Sequence, residues 1–131
     1  VRFEDLLAEA MSGTDRFGHR EHVHVTWLAV RHSGVDQAVT LISDGIRRTA
    51  RYAGRPQKYH ATMSRAWVEL VGHHTIPDDD FPAFIARNPA LLDKRLLSRF
   101  YTSGTLAGAS ARQGWVEPDL RPFPWTVQAA E

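Results

Sequence analysis

The chain has 131 residues and a net charge of +1, a length that suits one domain with one core and a charge that gives no global reason to expect nucleic acid. It contains no cysteine, which excludes disulfides, thiolate zinc sites, iron–sulfur clusters and cysteine nucleophiles. No apolar run approaches the roughly 20 residues of a membrane span, and the acidic, amphipathic start Val1-Arg2-Phe3-Glu4-Asp5 does not read as a signal peptide. Arginine outnumbers lysine 14 to 2, a bias that reads as base composition rather than function.

In chain order, Phe3, Leu6, Leu7, Ala10 and Met11 recur at helical spacing and predict a first helix ending near Ser12-Gly13. Thr14 to Gly18 reads as a turn. His22 to Trp27 alternates like a strand, but Val23, Trp27, Val30 and Arg31 fit a helix. The run 19–32 is also long for a strand, and no partner strand lies nearby, so a helix is expected. Ser33 and Asp36 resemble a capping box at the head of a third helix, marked by Val35, Ala38, Val39, Ile42, Ile46 and Ala50 and stopped at Gly54-Arg55-Pro56. After Lys58-Tyr59-His60 another helix is predicted to about His74. A short one spans Phe81 to Arg87, stopped by Asn88-Pro89. Leu92, Leu96 and Phe100 predict a further helix capped by Gly104. The apolar segment from Trp115 to Trp125 is expected to wrap back over the helices. The expected fold is an all-α bundle of five to six helices forming a single domain, 1–131, with an extended tail over 113–131.

Helical phase, about 100° per residue, sorts the seven histidines. With Trp27 inward, His19 and His22 share one flank with Thr26, while His24 lies on the other. The i, i+3 spacing puts the two imidazoles on adjacent turns of one face. On the next helix His60 and His74 point inward and His73 outward, and Glu69 reads as a surface partner of Arg65. An inward imidazole needs a polar partner, since leaving it without one costs on the order of 1–3 kcal/mol. The His19–His22 face is the nearest candidate. Three imidazoles with an open position would hold a divalent metal ion (Zn, Fe, Cu or Ni) through His19, His22 and His60; without metal they would supply a base near its working pKa.

Arg47, Arg48, Arg51, Arg55 and Lys58 form a basic stretch that suits the negative end of its helix as a solvated face; a nucleic-acid or protein interface is the lesser reading. There is no glycine-rich phosphate loop and no Gly-x-Ser-x-Gly elbow, and Asp78-Asp79-Asp80 reads as a cap.

Phe17-x-His19-x-x-His22, Lys58-Tyr59-His60-x-Thr62 with Trp67, Tyr101-x-Ser103, Ala111-Arg112 and Trp115-x-x-Pro118-Asp119-Leu120-x-Pro122 together span nearly the whole chain. In this combination the chain resembles a group of small bacterial proteins known as uncharacterised sequences. The resemblance implies a helical fold and carries no catalytic residues. Some members of that group look like companions of natural-product pathways.

These readings converge on a small-molecule enzyme. His60, His22 and Tyr101 are the expected catalytic groups, with Trp27, Trp67, Tyr59, Lys58 and Arg112 as substrate-binding residues. The Trp115–Trp125 tail is expected to close the pocket. The chemistry would be acid–base or metal-assisted, such as an isomerisation, a cyclisation or condensation, or another tailoring step. The alternative is a non-catalytic metal- or ligand-binding module. The expected partner is a small molecule, with a homodimer allowed, no membrane, nucleic acid disfavoured and a cytoplasmic location.

Overall fold

Helix α1 spans Phe3–Ala10 and helix α2 spans His19–Tyr52 in a computed structural model that describes residues 1–125. Helix α2 is interrupted at Gly34, where φ is +82° and ψ is 168°. An L side chain rarely adopts that φ, whereas glycine has no Cβ to clash. The interruption is a reversal. A straight helix would separate His22 from Ile46 by about 36 Å at 1.5 Å per residue, yet the two line one pocket. The limbs 19–33 and 35–52 therefore run side by side in opposite directions. The predicted boundary between two helices is thus met, but without the capping box: the Ser33 hydroxyl pairs with His32 Nδ1 at 3.0 Å, and the glycine makes the turn.

Helix α3, Ala61–His74, packs along both limbs of α2. Its first turns meet the start of α2, where the Trp67 ring lies 4.6 Å from His19. Its far end meets the Gly34 turn. There a Cβ added to Gly72 would sit 2.4 Å from Val35 Cγ2, so only a glycine allows this approach. Helix α1 covers the 35–52 limb through Phe3, and helix α4, Phe81–Arg87, covers the 19–33 limb through Phe81 and Phe84, whose rings tilt against Trp27. One contiguous core runs from Phe3 through Val25, Ile42 and Val68 to Phe123.

The predicted helix over Leu92–Phe100 is not formed. Two 3-10 turns, Pro89–Leu92 and Leu96–Arg99, stand in its place. Asp93 explains the break: its carboxylate accepts from the Arg95 backbone N–H at 2.9 Å, a local bond that competes with the helical ladder. Nor does Gly104 cap anything. It lies inside helix α5, Ser103–Ala107, which Thr102 caps by accepting from the Thr105 N–H, and helix α6, Ala109–Gln113, follows.

The tail returns over the helices as expected, with Phe123 fully buried against Phe100 and Tyr101. Thr62 on α3 donates to the Gly114 carbonyl at 2.7 Å and accepts from Val116 N–H at 3.1 Å. The Asp119 carboxylate accepts from the Thr102 N–H and from the Thr102 and Thr105 hydroxyls, at 2.7 to 2.9 Å. These bonds hold its pKa below the usual carboxylate value. Residues 126–131 of the predicted tail lie outside the described residues. Among the described residues there is no strand, and no helix is long and apolar enough to cross a membrane.

A histidine- and lysine-lined pocket as the candidate functional site

A pocket of about 270 Å3 opens where the first turn of α2, the Pro56–Lys58 turn, the first turns of α3 and the 93–95 link come together. His19, His22 and His60 all line it, with Lys58, Lys94, Ser64, Met63, Trp67, Phe17 and Ile46. Three imidazoles separated by up to 41 positions in the chain thus share one cavity, because α2 and α3 both begin at this end of the fold.

Their ring nitrogens are not equivalent. His60 is buried and serves as N-cap of α3, its Nδ1 accepting from the Met63 N–H at 3.1 Å. Accepting at Nδ1 leaves the proton on Nε2, which donates to the Leu106 carbonyl of α5 at 2.7 Å. Both nitrogens are therefore committed to backbone groups: His60, expected as a base or ligand, here caps α3 and braces α5, with no lone pair turned to the cavity. His19 donates from Nε2 to the Leu91 carbonyl at 2.9 Å and meets Trp67 edge-on.

His22 differs. Its ring lies 6.3 Å from His19 and 6.2 Å from Phe17, and its nitrogens make no hydrogen bond within the described residues. The ring is partly accessible at the pocket, but the packing around it disfavours the charged form and lowers its pKa to about 4, with His19 adding to the effect. His22 is thus a neutral imidazole with one free acceptor and one free donor.

The trio does not fit a metal tripod. A ligating histidine offers a lone pair, but both His60 nitrogens and one on His19 are occupied by backbone groups. Among the described residues no group of three or more His, Cys, Asp or Glu side chains is placed to hold an ion.

Of the expected binding residues, Lys58 and Trp67 line the pocket. Trp27 does not. It is buried against Phe81 and Phe84, under the Arg31 guanidinium, because α4 covers that face of α2. Tyr101 is also misplaced as a catalytic group. Its hydroxyl donates to the Val116 carbonyl at 2.7 Å, and burial raises its pKa, so it pins the tail. Tyr59 lies beneath the Arg47 guanidinium, 5.0 Å away, and Arg112 donates to the Gln57 carbonyl, bracing the turn that carries Lys58. The tail closes a different cleft, one lined by Trp125, Arg65, Glu69 and His73. The remaining histidines fall as phase predicts: His24 stacks on Phe81, His73 is exposed, and His74 is half-buried with Nδ1 at 2.8 Å from the Leu70 carbonyl.

Lys94 is the pocket residue that helical patterning missed, since it lies in a link with no periodicity. Composition held the signal. The chain has two lysines against 14 arginines, and both line this pocket. Comparison with protein-family models, with curated proteins and with solved structures gives no match to this chain.

Proposed function

We propose that the protein is a small-molecule enzyme acting at this pocket by acid–base chemistry, with His22 as the proton-accepting group. The observation that carries the reading is the inequality of the three histidines: His19 and His60 are tied to backbone carbonyls, while His22 faces the cavity neutral and without a hydrogen-bond partner among the described residues. A neutral imidazole beside a carbonyl substrate takes a proton from the adjacent carbon. The C–H electron pair moves into the carbonyl, the negative charge gathers on oxygen, and the nearby ammonium groups stabilise it. Return of the proton to a different atom completes an isomerisation and leaves His22 neutral again. His19 and His60 position the walls of the site, through Leu91 and Leu106 respectively.

The lowered pKa of His22 favours one second reading. A base that weak at rest suits a protein that binds its ligand without transforming it, the imidazole serving as a neutral hydrogen-bonding group. The basic stretch is less apt as an interface, because Arg47 is held over Tyr59 and Arg48 pairs with Glu4 at 3.1 Å.

Diethyl pyrocarbonate acylates free, unprotonated imidazole nitrogens. Peptide mapping is expected to find His22 modified well before His19 and His60; equal rates at His60 would remove the basis of the assignment. Catalysis itself is read by solvent-deuterium incorporation into a panel of small carbonyl metabolites. Exchange present in the wild type and lost in His22→Asn supports the base, and exchange that persists in the variant refutes it.

A further inference from the structure

We infer that the ligand of this pocket carries a compact oxyanion, a carboxylate or phosphate, gripped between Lys58 and Lys94, and an apolar portion that lies against Trp67. The inference rests on the pocket being the functional site and names the class of molecule it takes.

The chain uses arginine for nearly all of its cationic positions, 14 of 16. The two exceptions are distant in sequence, one on the Pro56–Lys58 turn and one in the 93–95 link, yet they line the same small cavity. Lysine differs from arginine in being a compact ammonium on a flexible stem, suited to follow an anion into a confined space. Neither lysine forms an ion pair among the described residues, where all six ion pairs present use arginine. The lining contains no carboxylate, and that of the neighbouring Asp93 is paired with Arg95, so the fixed charge on the cavity wall is positive. Two like charges on the wall of one cavity repel, and an anion between them relieves that repulsion.

The rest of the lining sets the shape of the ligand. Trp67, Met63, Ile46 and Phe17 form an apolar wall, and the Ser64 hydroxyl and the His22 ring supply neutral hydrogen-bonding groups. A cavity of about 270 Å3 lies just below the roughly 300–1,000 Å3 of drug-sized sites, which suits a metabolite with one charged head and a ring or short chain.

Having only two lysines makes the test direct. Reductive 13C-methylation labels both, alongside the amino terminus, and keeps their charge. Benzoate, phenyl phosphate and the neutral benzyl alcohol are then titrated by NMR. Both dimethyl-lysine signals are expected to move with one or both anions and not with the alcohol, and which anion acts separates a carboxylate ligand from a phosphate one. The Lys58→Gln/Lys94→Gln double variant, followed through the Trp67 indole signal, is expected to bind that anion about tenfold more weakly, or about 1.4 kcal/mol. The inference is overturned if neither anion moves the lysine signals, if one lysine alone responds, or if the alcohol acts as strongly. Failure of the base assignment looks different: His22→Asn would then leave both anion binding and deuterium exchange intact.

Discussion

Two of the clefts along α3 use their charged groups differently. The cleft beside Trp125 holds about 560 Å3, twice the volume of the histidine pocket, and it too is lined by charged groups, Asp36, Arg65 and Glu69, with the His73 ring beside them. Arg65 and Glu69 are already spent on each other. Arg65 pairs with Glu69 at 2.7 Å and lies 4.1 Å from the Trp115 ring, and Glu69 also accepts from Trp125 Nε1 at 3.1 Å. That cleft is a seam where the tail is fastened. In the histidine pocket, among the described residues, two ammonium groups have no ion-pair partner and one imidazole has no hydrogen bond. The comparison shows that volume alone does not mark a site; what does is polar capacity left unsatisfied in a place a ligand can reach.

The sharpest way to break the distinction is to remove the group that organises the pocket without belonging to its chemistry. His60→Ala deletes the N-cap of α3 and leaves the Leu106 carbonyl without its donor. The expected destabilisation is about 2–3 kcal/mol, summing a cap of about 1 kcal/mol and an unsatisfied buried acceptor. Urea unfolding reads it, and a loss under about 0.5 kcal/mol, the range of ordinary surface substitutions, would show that His60 does not brace the fold.

The next effect follows from His22. Its folded pKa is about 4 against 6.5 for the free side chain, so the unfolded chain binds a proton that the folded chain does not. That stabilisation is complete above about pH 6.5 and declines as pH falls towards 4, by about 3 kcal/mol at 1.36 kcal/mol per pH unit. Unfolding free energies measured across that window should fall more steeply for the wild type than for His22→Asn. Parallel profiles would mean that the imidazole takes up its proton as readily in the folded chain as in the unfolded one. His24 and His73 are also lowered by burial and add to the same trend in both proteins, so the difference isolates His22.

The smallest expected effect would blur the contrast from the other side. Glu69→Gln removes the carboxylate that neutralises Arg65. The Trp125 cleft should then acquire weak, salt-sensitive affinity for benzoate, seen as shifts of the His73 and Trp125 ring signals that are absent in the wild type. If the variant stays inert, pairing is not what distinguishes the two clefts.

Much of the scaffold was legible in the chain. Apolar spacing marked α1, both limbs of α2, α3 and α4, because a helix that buries one face must repeat its apolar residues at 3.6. It failed over Leu92–Phe100, where the leucines are spaced for a helix but the Asp93 carboxylate takes a backbone N–H and divides the segment into two turns. Helical phase also singled out His19, His22 and His60. It could not tell them apart, because their difference lies in the distant carbonyls of Leu91 and Leu106. The motif residues His60, Thr62, Tyr101 and Asp119 prove to be fastenings between α3, α5 and the tail, although a polar residue in an apolar setting looks catalytic in sequence.

The sequence by itself determined an all-helical chain, the inward phase of the histidines and the scarcity of lysine, since these follow from local periodicity and composition. Only the tertiary structure decided that Gly34 folds α2 back on itself, that Lys58 and Lys94 line one pocket, and that of the three histidines only His22 lacks a hydrogen bond within the described residues. Those outcomes depend on which backbone carbonyl lies opposite which ring, and residues far apart in the chain are brought opposite one another only by packing.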